Sequence, residues 1–151
     1  MIRVYGGHFR LVIYRNVLDR TEHVVLTRGK IDPDKPTLVR MHKVDMAADM
    51  LGHVENRQDL VPRALNSIAA HDGPGVAVFI RSSYADHLSR KFGEEPDEPQ
   101  AEAIQRDYGV GAQILLDLGV RDMILLSAFK GRLRLPGSEG YGLRIVERRD
   151  L

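Results

Sequence analysis

The chain of 151 residues contains no cysteine and no tryptophan, and aromatic residues make up only 6% of it. The absence of cysteine excludes disulfides and any metal site built from thiolates. No apolar run is long enough to span a bilayer, and residues 1–5 lack the apolar block of a signal peptide. A formal net charge of +1 gives no general argument for binding nucleic acid or an anionic membrane. We therefore expect a cytoplasmic protein with neither as a partner.

The residues that are present have the balance of a globular protein. Hydrophobic residues make up 43% of the chain and charged residues 28%, which is ordinary for a globular domain. A chain of this length can bury one sizeable core. No repeat or shift in composition divides it, so we expect residues 1–151 to form a single domain.

The N-terminal part of the chain has the pattern of paired strands. Residues 8–15 and 22–30 are rich in β-branched and aromatic side chains. The four residues 18–21 between them suit a hairpin turn. After a loop with two prolines, residues 37–42 are predicted to form a third strand.

The middle of the chain alternates between helices and strands. Residues 45–54 are predicted to form a short helix or an irregular turn, and residues 59–71 a clearer helix. Residues 76–81 form a continuous apolar run, which is typical of a strand buried on both faces. Residues 82–92 are predicted to be helical, and residues 93–99 an acidic, proline-containing loop.

The strongest helical pattern lies near residues 104–118. Its apolar face comes from residues that recur at steps of three and four: Ile104, Tyr108, Ala112, Leu115 and Leu118. Gly119 is expected to end this helix, and residues 120–127 to form a buried strand. The order of elements predicts a mixed α/β fold, in which N-terminal hairpin strands are followed by alternating helices and strands.

Several stretches resemble the GTP cyclohydrolase II family, whose members catalyse the first step of riboflavin synthesis. The Arg-Asp-Tyr sequence of residues 106–108 and the Leu-Gly-Val sequence of residues 118–120 both match family phrases. Residues 139–148, Glu-Gly-Tyr-Gly-Leu-Arg-Ile-Val-Glu-Arg, match the phrase that closes the family's domain. Residues 37–42 match a family strand near the other end. The resemblance implies a GTP cyclohydrolase II-like fold.

The resemblance also implies a zinc site, which this sequence does not keep. In the family, three cysteine thiolates hold a zinc ion that activates the water attacking the guanine ring. The corresponding positions here are Asp45, Asn56 and Gln58. Asparagine and glutamine are poor zinc ligands and carry no charge to offset the ion. We therefore expect no zinc site and no other cofactor.

A rebuilt metal site is the alternative to this expectation. One carboxylate and two imidazoles, from Asp45, His42 and His53, are a donor set that can bind zinc. Such a site depends on a loop geometry that the sequence does not reveal. We favour the simpler expectation that these residues are exposed polar side chains on a degenerate loop.

The family's substrate-binding phrases survive only in fragments. Arg81 matches an arginine that follows the apolar strand, but the glutamate and glycines after it are absent. Arg106 and Tyr108 persist as remnants of a catalytic phrase. Ile104 stands where the family has an aspartate expected to act as a general base, and isoleucine cannot take a proton.

A fourth family phrase follows the late strand, where Ser127 and Arg132 are conservative matches to a threonine and a lysine that contact the substrate. Together with Arg81 and Arg106, these residues are the expected remains of an anion-binding pocket. Elsewhere, we expect the histidines His23, His71 and His87 at the surface or at helix ends.

The sequence keeps the family motifs that build the fold and lacks those that form the active site. This combination predicts a catalytically inactive GTP cyclohydrolase II-like domain. In many bacteria this domain is fused behind 3,4-dihydroxy-2-butanone 4-phosphate synthase, and residues 7–15 resemble the phrase after the linker. We expect a homodimer that supports a fused or associated synthase. Two alternatives stay open: a regulatory module for a phosphorylated ligand, and a cyclohydrolase with the rebuilt metal site.

Overall fold

One seven-stranded sheet organises the chain. The computed structural model describes residues 1–52, 59–82, 87–93, 101–128 and 142–151. The strands are β1 (Ile2–Val4), β2 (Gly7–Arg15), β3 (Glu22–Arg28), β4 (Thr37–Lys43), β5 (Gly75–Ile80), β6 (Asp122–Ser127) and β7 (Arg144–Asp150). The helices are α1 (Met46–Leu51), α2 (Leu60–Ala70), α3 (His87–Phe92) and α4 (Ala101–Asp117).

The sheet joins an antiparallel half to a parallel half. Its strand order is β1-β2-β3-β5-β4-β6-β7. Strands β1, β2, β3 and β5 pair antiparallel, whereas β5, β4, β6 and β7 are parallel neighbours. The mixed α/β fold predicted from the sequence is confirmed, and it is consistent with a GTP cyclohydrolase II-like fold.

The two faces of the sheet carry separate cores because successive side chains of a strand point to opposite faces. Val25 and Val78 pack with Leu115 of α4 on one face. Leu26 and Ala77 pack with Leu65 of α2 on the other face. We call these the α4 face and the α2 face. Strand β5 is almost wholly buried, as its continuous apolar run predicts.

Helix α4 ends as the sequence indicates. Gly119 has a φ of +94°, a left-handed conformation that glycine adopts without a steric penalty. The Gly119 N–H donates to the Leu116 carbonyl, and the Val120 N–H donates to the Leu115 carbonyl, both at 3.0 Å. This pair of hydrogen bonds is the Schellman motif. It turns the chain directly into the buried strand β6.

The sequence patterns misplaced some element ends and missed one strand. Strand β3 ends at Arg28, because Gly29 leaves the extended conformation with a φ of +78°. Strand β1 was not predicted, since three residues are too few to show an alternating pattern. It is held by pairing with the first residues of β2, from Ile2 opposite Phe9 to Val4 opposite Gly7. Most of the predicted acidic loop, residues 94–99, lies outside the described residues.

Candidate functional site

The candidate site lies at the edge of the sheet where the parallel strands β4, β5 and β6 end. Arg81 directly follows β5, and Ser127 is the last residue of β6. Helix α4 begins toward this edge, because it connects the end of β5 to the start of β6. An ion pair between Lys43 at the end of β4 and Asp107 of α4 joins the two elements. Open α/β sheets bind ligands at this edge.

Asp45, at the first expected zinc position, is a helix cap. Its Oδ1 accepts hydrogen bonds from the N–H groups of Ala47 and Ala48 at 3.1 and 3.2 Å. Its Oδ2 pairs with the ammonium group of Lys91 on α3. Burial alone would raise the pKa of Asp45, but the hydrogen bonds from Lys91 and the two amides outweigh it and hold this pKa below its usual value.

His42, the last buried residue of β4, is held on both ring nitrogens. Its Nε2 lies 2.8 Å from Asp49 Oδ2, and its Nδ1 lies 3.4 Å from an Arg40 guanidinium nitrogen. Arginine has no acceptor, so Nδ1 accepts and the Nε2–H donates to the carboxylate. Asp49 Oδ2 also accepts from the Asp45 N–H at 2.9 Å. One carboxylate therefore joins β4 to the start of α1.

His42 and Asp45, as placed, do not fit a zinc site. Each already faces a positive side chain, Arg40 for His42 and Lys91 for Asp45. Both nitrogens of the neutral imidazole are engaged, so no lone pair is free to bind a metal. Across the described ranges, no three His, Asp or Glu side chains form a group that could hold an ion.

The remaining expected positions of the metal site, Asn56, Gln58 and His53, lie outside the described residues. The same is true of Arg132, the last member of the expected anion pocket. The absence of a zinc site therefore stays a prediction for the chain as a whole.

His23 is buried beneath Arg81, so the prediction of a surface position was wrong for this histidine. Only 4% of His23 is exposed, and its Nδ1 accepts a hydrogen bond from the Arg81 N–H at 3.1 Å. Burial lowers the pKa of His23, because a low-dielectric environment disfavours the imidazolium. The sequence carried a signal of this burial. His23 lies two residues before the buried Val25, so the two side chains point to the same face of β3. His71 does lie at a helix end, after α2.

Arg81 lines an apolar groove on the α2 face. The groove has a volume of about 780 Å³. Its other lining residues are all apolar or aromatic, and Val24, Val61 and Phe79 are examples. Among the described residues, the Arg81 guanidinium has no hydrogen-bond or ion-pair partner. The groove thus combines a large apolar wall with one positive group at its rim.

Arg106 lies on the other face of the sheet. It lines a polar cleft of about 870 Å³ between α4 and the β2–β3 turn. At one end of this cleft the Tyr14 hydroxyl donates to Asp117 Oδ2 at 2.6 Å. Burial, together with Asp117, raises the pKa of Tyr14 to about 12. Within the described ranges, the Arg106 guanidinium is also unpaired, and Tyr108 on the same helix is half-buried.

The expected anion pocket is therefore spread over two cavities. Arg81 and Arg106 both lie near the carboxyl ends of the strands, but one lines the groove on the α2 face and the other the cleft on the α4 face. Ser127 is 7% exposed, and its carbonyl accepts a hydrogen bond from the Leu151 N–H at 2.9 Å. The joint use of these residues in one pocket stays a prediction.

Comparison with known proteins shows which family this chain resembles over its length. A family model described as GTP cyclohydrolase II matches residues 1–150. The riboflavin biosynthesis protein RibBA of Bacillus subtilis is 36% identical over 94% of this chain and 39% of its own length. The RibBA protein of Synechocystis is 33% identical over 94% of this chain and 28% of its own length.

A third relative has a different name. The 3,4-dihydroxy-2-butanone 4-phosphate synthase of Pseudomonas aeruginosa is 34% identical over 93% of this chain and 39% of its own length. The chain thus spans between 28% and 39% of the length of these curated relatives. None of the helices in the described part of the chain is long and apolar enough to cross a membrane.

The burial of His23 predicts a loss of stability in mild acid. Its pKa is lower in the folded state than the usual value near 6.5, so unfolding takes up a proton as the pH falls below about 6.5. The contribution of neutral, buried His23 to the free energy of unfolding is complete above that pH. It is lost as the pH falls through the folded pKa, at up to about 1.4 kcal/mol per pH unit. The free energy of unfolding, measured by urea denaturation from pH 7.5 to 5, should show this slope.

A His23→Asn variant should have a shallower slope, because the amide oxygen can still accept from the Arg81 N–H but does not titrate. His71→Asn serves as the control for a histidine at a helix end. An unchanged slope in His23→Asn would contradict the assignment.

Proposed function

The chain belongs to the GTP cyclohydrolase II family, and we propose that it acts there as a catalytically inactive domain of riboflavin biosynthesis. In this proposal it forms a homodimer in the cytoplasm and supports a 3,4-dihydroxy-2-butanone 4-phosphate synthase, fused to it or associated with it. The names of its relatives, riboflavin biosynthesis protein RibBA and the synthase itself, support the place in riboflavin biosynthesis and the association with a synthase.

The observation that carries the proposal is the corner between β4 and α1. Near the first zinc position, Asp45 caps α1 and forms an ion pair with Lys91. The imidazole of His42 is hydrogen-bonded to Asp49. A family enzyme needs its metal to lower the pKa of bound water from about 15.7 to about 7. The described contacts at this corner instead join β4, α1 and α3 to one another.

Two further observations support inactivity. Ile104 replaces the aspartate expected as a base, and it supplies no group that can accept a proton. The Pseudomonas relative is named for the synthase activity alone, although 39% of its length aligns with this chain. A domain without cyclohydrolase activity is therefore compatible with the synthase activity for which this relative is named.

The inactivity is tested by GTP turnover with added zinc, together with elemental analysis of the same sample. We expect neither turnover above the buffer blank nor stoichiometric zinc. A variant with cysteine at all three family positions, Asp45→Cys/Asn56→Cys/Gln58→Cys, should bind zinc yet still not turn over GTP, because Ile104 remains.

Turnover by the native chain would overturn the proposal. If it came with zinc that is lost in His42→Ala, it would establish the rebuilt metal site instead. Asp34→Asn, in the loop before β4, is the control for a carboxylate away from the corner.

The supporting role is tested in the Pseudomonas relative. Deleting its aligned part should lower the thermal midpoint of its synthase activity, and replacing that part by this chain should restore it. An unrelated domain of similar size in the same place is the control. If the deletion leaves the midpoint and the activity unchanged, this chain has no supporting role to fulfil.

A second candidate function is the binding of a phosphorylated ligand. It is favoured by the unpaired guanidinium of Arg106, which lies in a cleft wide enough for a nucleotide-sized molecule. Gly109 of α4 also lines this cleft, where the lack of a side chain leaves the backbone accessible. Arginine is well suited to phosphate because its planar fork donates two parallel hydrogen bonds.

This candidate is tested by thermal shift with GTP, ribulose 5-phosphate, flavin mononucleotide and inorganic phosphate. A ligand that binds in the cleft should raise the melting temperature of the native chain and not that of Arg106→Met. Arg63→Met, on the exposed side of α2, is the control. No shift with any of the four compounds would remove this candidate.

A further inference from the structure

The apolar groove on the α2 face, described above beside Arg81, runs along the middle of the sheet. Its floor is formed by Val24 and Leu26 of β3 and by Phe79 of β5, whose side chains point to the same face of the sheet. Helix α2 packs over β4 and β5 on one side of this floor, and β1 lies beyond β2 on the other. Side chains from both of these elements, such as Leu65 and Val4, line the groove.

The groove has one closed, apolar end and one charged end. At the closed end, the turn at Gly6 packs against α2 so closely that a Cβ atom on Gly6 would lie 2.8 Å from the Leu65 carbonyl oxygen. At the other end, Arg81 follows β5 and lines the rim. Ala77, which lies opposite Leu26, is four residues before Arg81, so the floor is about 13 Å long.

The charged end is anchored and available to a ligand. Among the described residues that line the groove, Arg81 is the only charged one, and its exposed guanidinium has no described partner. Its backbone is held in place, because the Arg81 N–H donates to the buried His23 at 3.1 Å. The positive group therefore has a fixed position at the mouth of an apolar channel.

The floor of the groove is also held by contacts from behind. The ring of Phe79 meets the ring of His42 edge to face, with 5.8 Å between the ring centroids. His42 is itself engaged by Arg40 and Asp49. A wall that is already ordered costs a ligand little conformational entropy on binding.

The lining selects against two kinds of ligand. A nucleotide or a sugar phosphate would bring hydroxyl groups against apolar side chains that offer them no hydrogen bond, and burying such groups unpaired is costly. A peptide strand would find no backbone partner on the floor, because β3 is already paired with β2 and β5, and β5 with β3 and β4. The favoured occupant is an elongated apolar body with one negative group at its end.

We propose that the groove binds an aliphatic monocarboxylate, with its chain lying along β3 and its carboxylate on the Arg81 guanidinium. The planar fork of arginine donates two parallel hydrogen bonds to a carboxylate. The volume of about 780 Å³ is that of a small-molecule site. This site lies on the opposite face of the sheet from the cleft at Arg106, so it is independent of the phosphorylated-ligand candidate.

The apolar part of the site is tested on the full chain by calorimetric titration with hexanoate, octanoate and decanoate, below the concentrations at which they form micelles. We expect the dissociation constant to fall about fourfold for each added CH₂ group, which is the gain from moving it out of water. Val61→Glu, which places a negative charge in the groove, should weaken octanoate binding at least tenfold. Asn66→Glu, on the exposed side of the same helix, is the matched control.

The charged part of the site is tested by comparing octanoate with octanamide, which has the same chain and no charge. The native chain should bind octanoate at least tenfold more tightly, since hydrogen bonds between charged groups are lost in the amide. Arg81→Met should remove this preference and leave the binding of octanamide unchanged. Arg63→Met is the control for a loss of positive charge elsewhere. Circular dichroism and melting behaviour establish that each variant is folded.

Each outcome decides for or against the site. A dissociation constant that falls with chain length, together with losses in Val61→Glu and Arg81→Met and in neither control, would establish it. Octanoate binding that is unchanged in Val61→Glu would place the ligand elsewhere and overturn the proposal. Equal affinities for octanoate and octanamide, or no binding of any of these compounds, would also overturn it. GTP turnover and oligomeric state do not enter these measurements, so the proposed function stands or falls separately.

Discussion

Strand β5 is the element on which the rest of the structure depends. It pairs antiparallel with β3 and parallel with β4, so it joins the hairpin half of the sheet to the crossover half. Its side chains alternate between the two cores, with Val76 and Val78 facing α4 and Ala77 facing α2. Its end also positions Arg81, whose N–H is held by the buried His23.

The described residues keep the sheet edge of a ligand-binding fold, and they contain no group of three His, Asp or Glu side chains that could hold a metal ion. The parallel strands still bring Arg81, Ser127 and the first half of α4 to one edge, as a ligand-binding α/β sheet requires. At the corner between β4 and α1, the carboxylates of Asp45 and Asp49 and the imidazole of His42 are engaged by neighbouring groups of the protein. A buried carboxylate or imidazole must be paired, and here Arg40, His42, Asp49 and Lys91 provide that pairing within the protein.

The two arginines of the expected anion pocket lie on opposite faces of the sheet. Arg81 lines an apolar groove on the α2 face, whereas Arg106 lines a polar cleft on the α4 face. A single ligand would have to pass the carboxyl ends of the strands to reach both.

The sequence by itself determined the class of fold and most of its elements. Long apolar patterns such as residues 76–81 and the apolar face of α4 are local, and Gly119 marks a helix end through its own backbone freedom. Short family motifs established the resemblance, and the absence of cysteine excluded a thiolate metal site. Each of these signals lies within a few consecutive residues, where the physical cause is local as well.

Only the tertiary structure decided what depends on distant partners. The burial of His23 requires β2 and β5 on its two sides, and β1 requires the start of β2 beside it. That Asp45 is paired with Lys91 and His42 with Asp49 follows from how β4, α1 and α3 meet. Whether Arg81 and Arg106 share a face depends on which face of the sheet α4 covers and on the alternation along β5 that directs Arg81 to the opposite face.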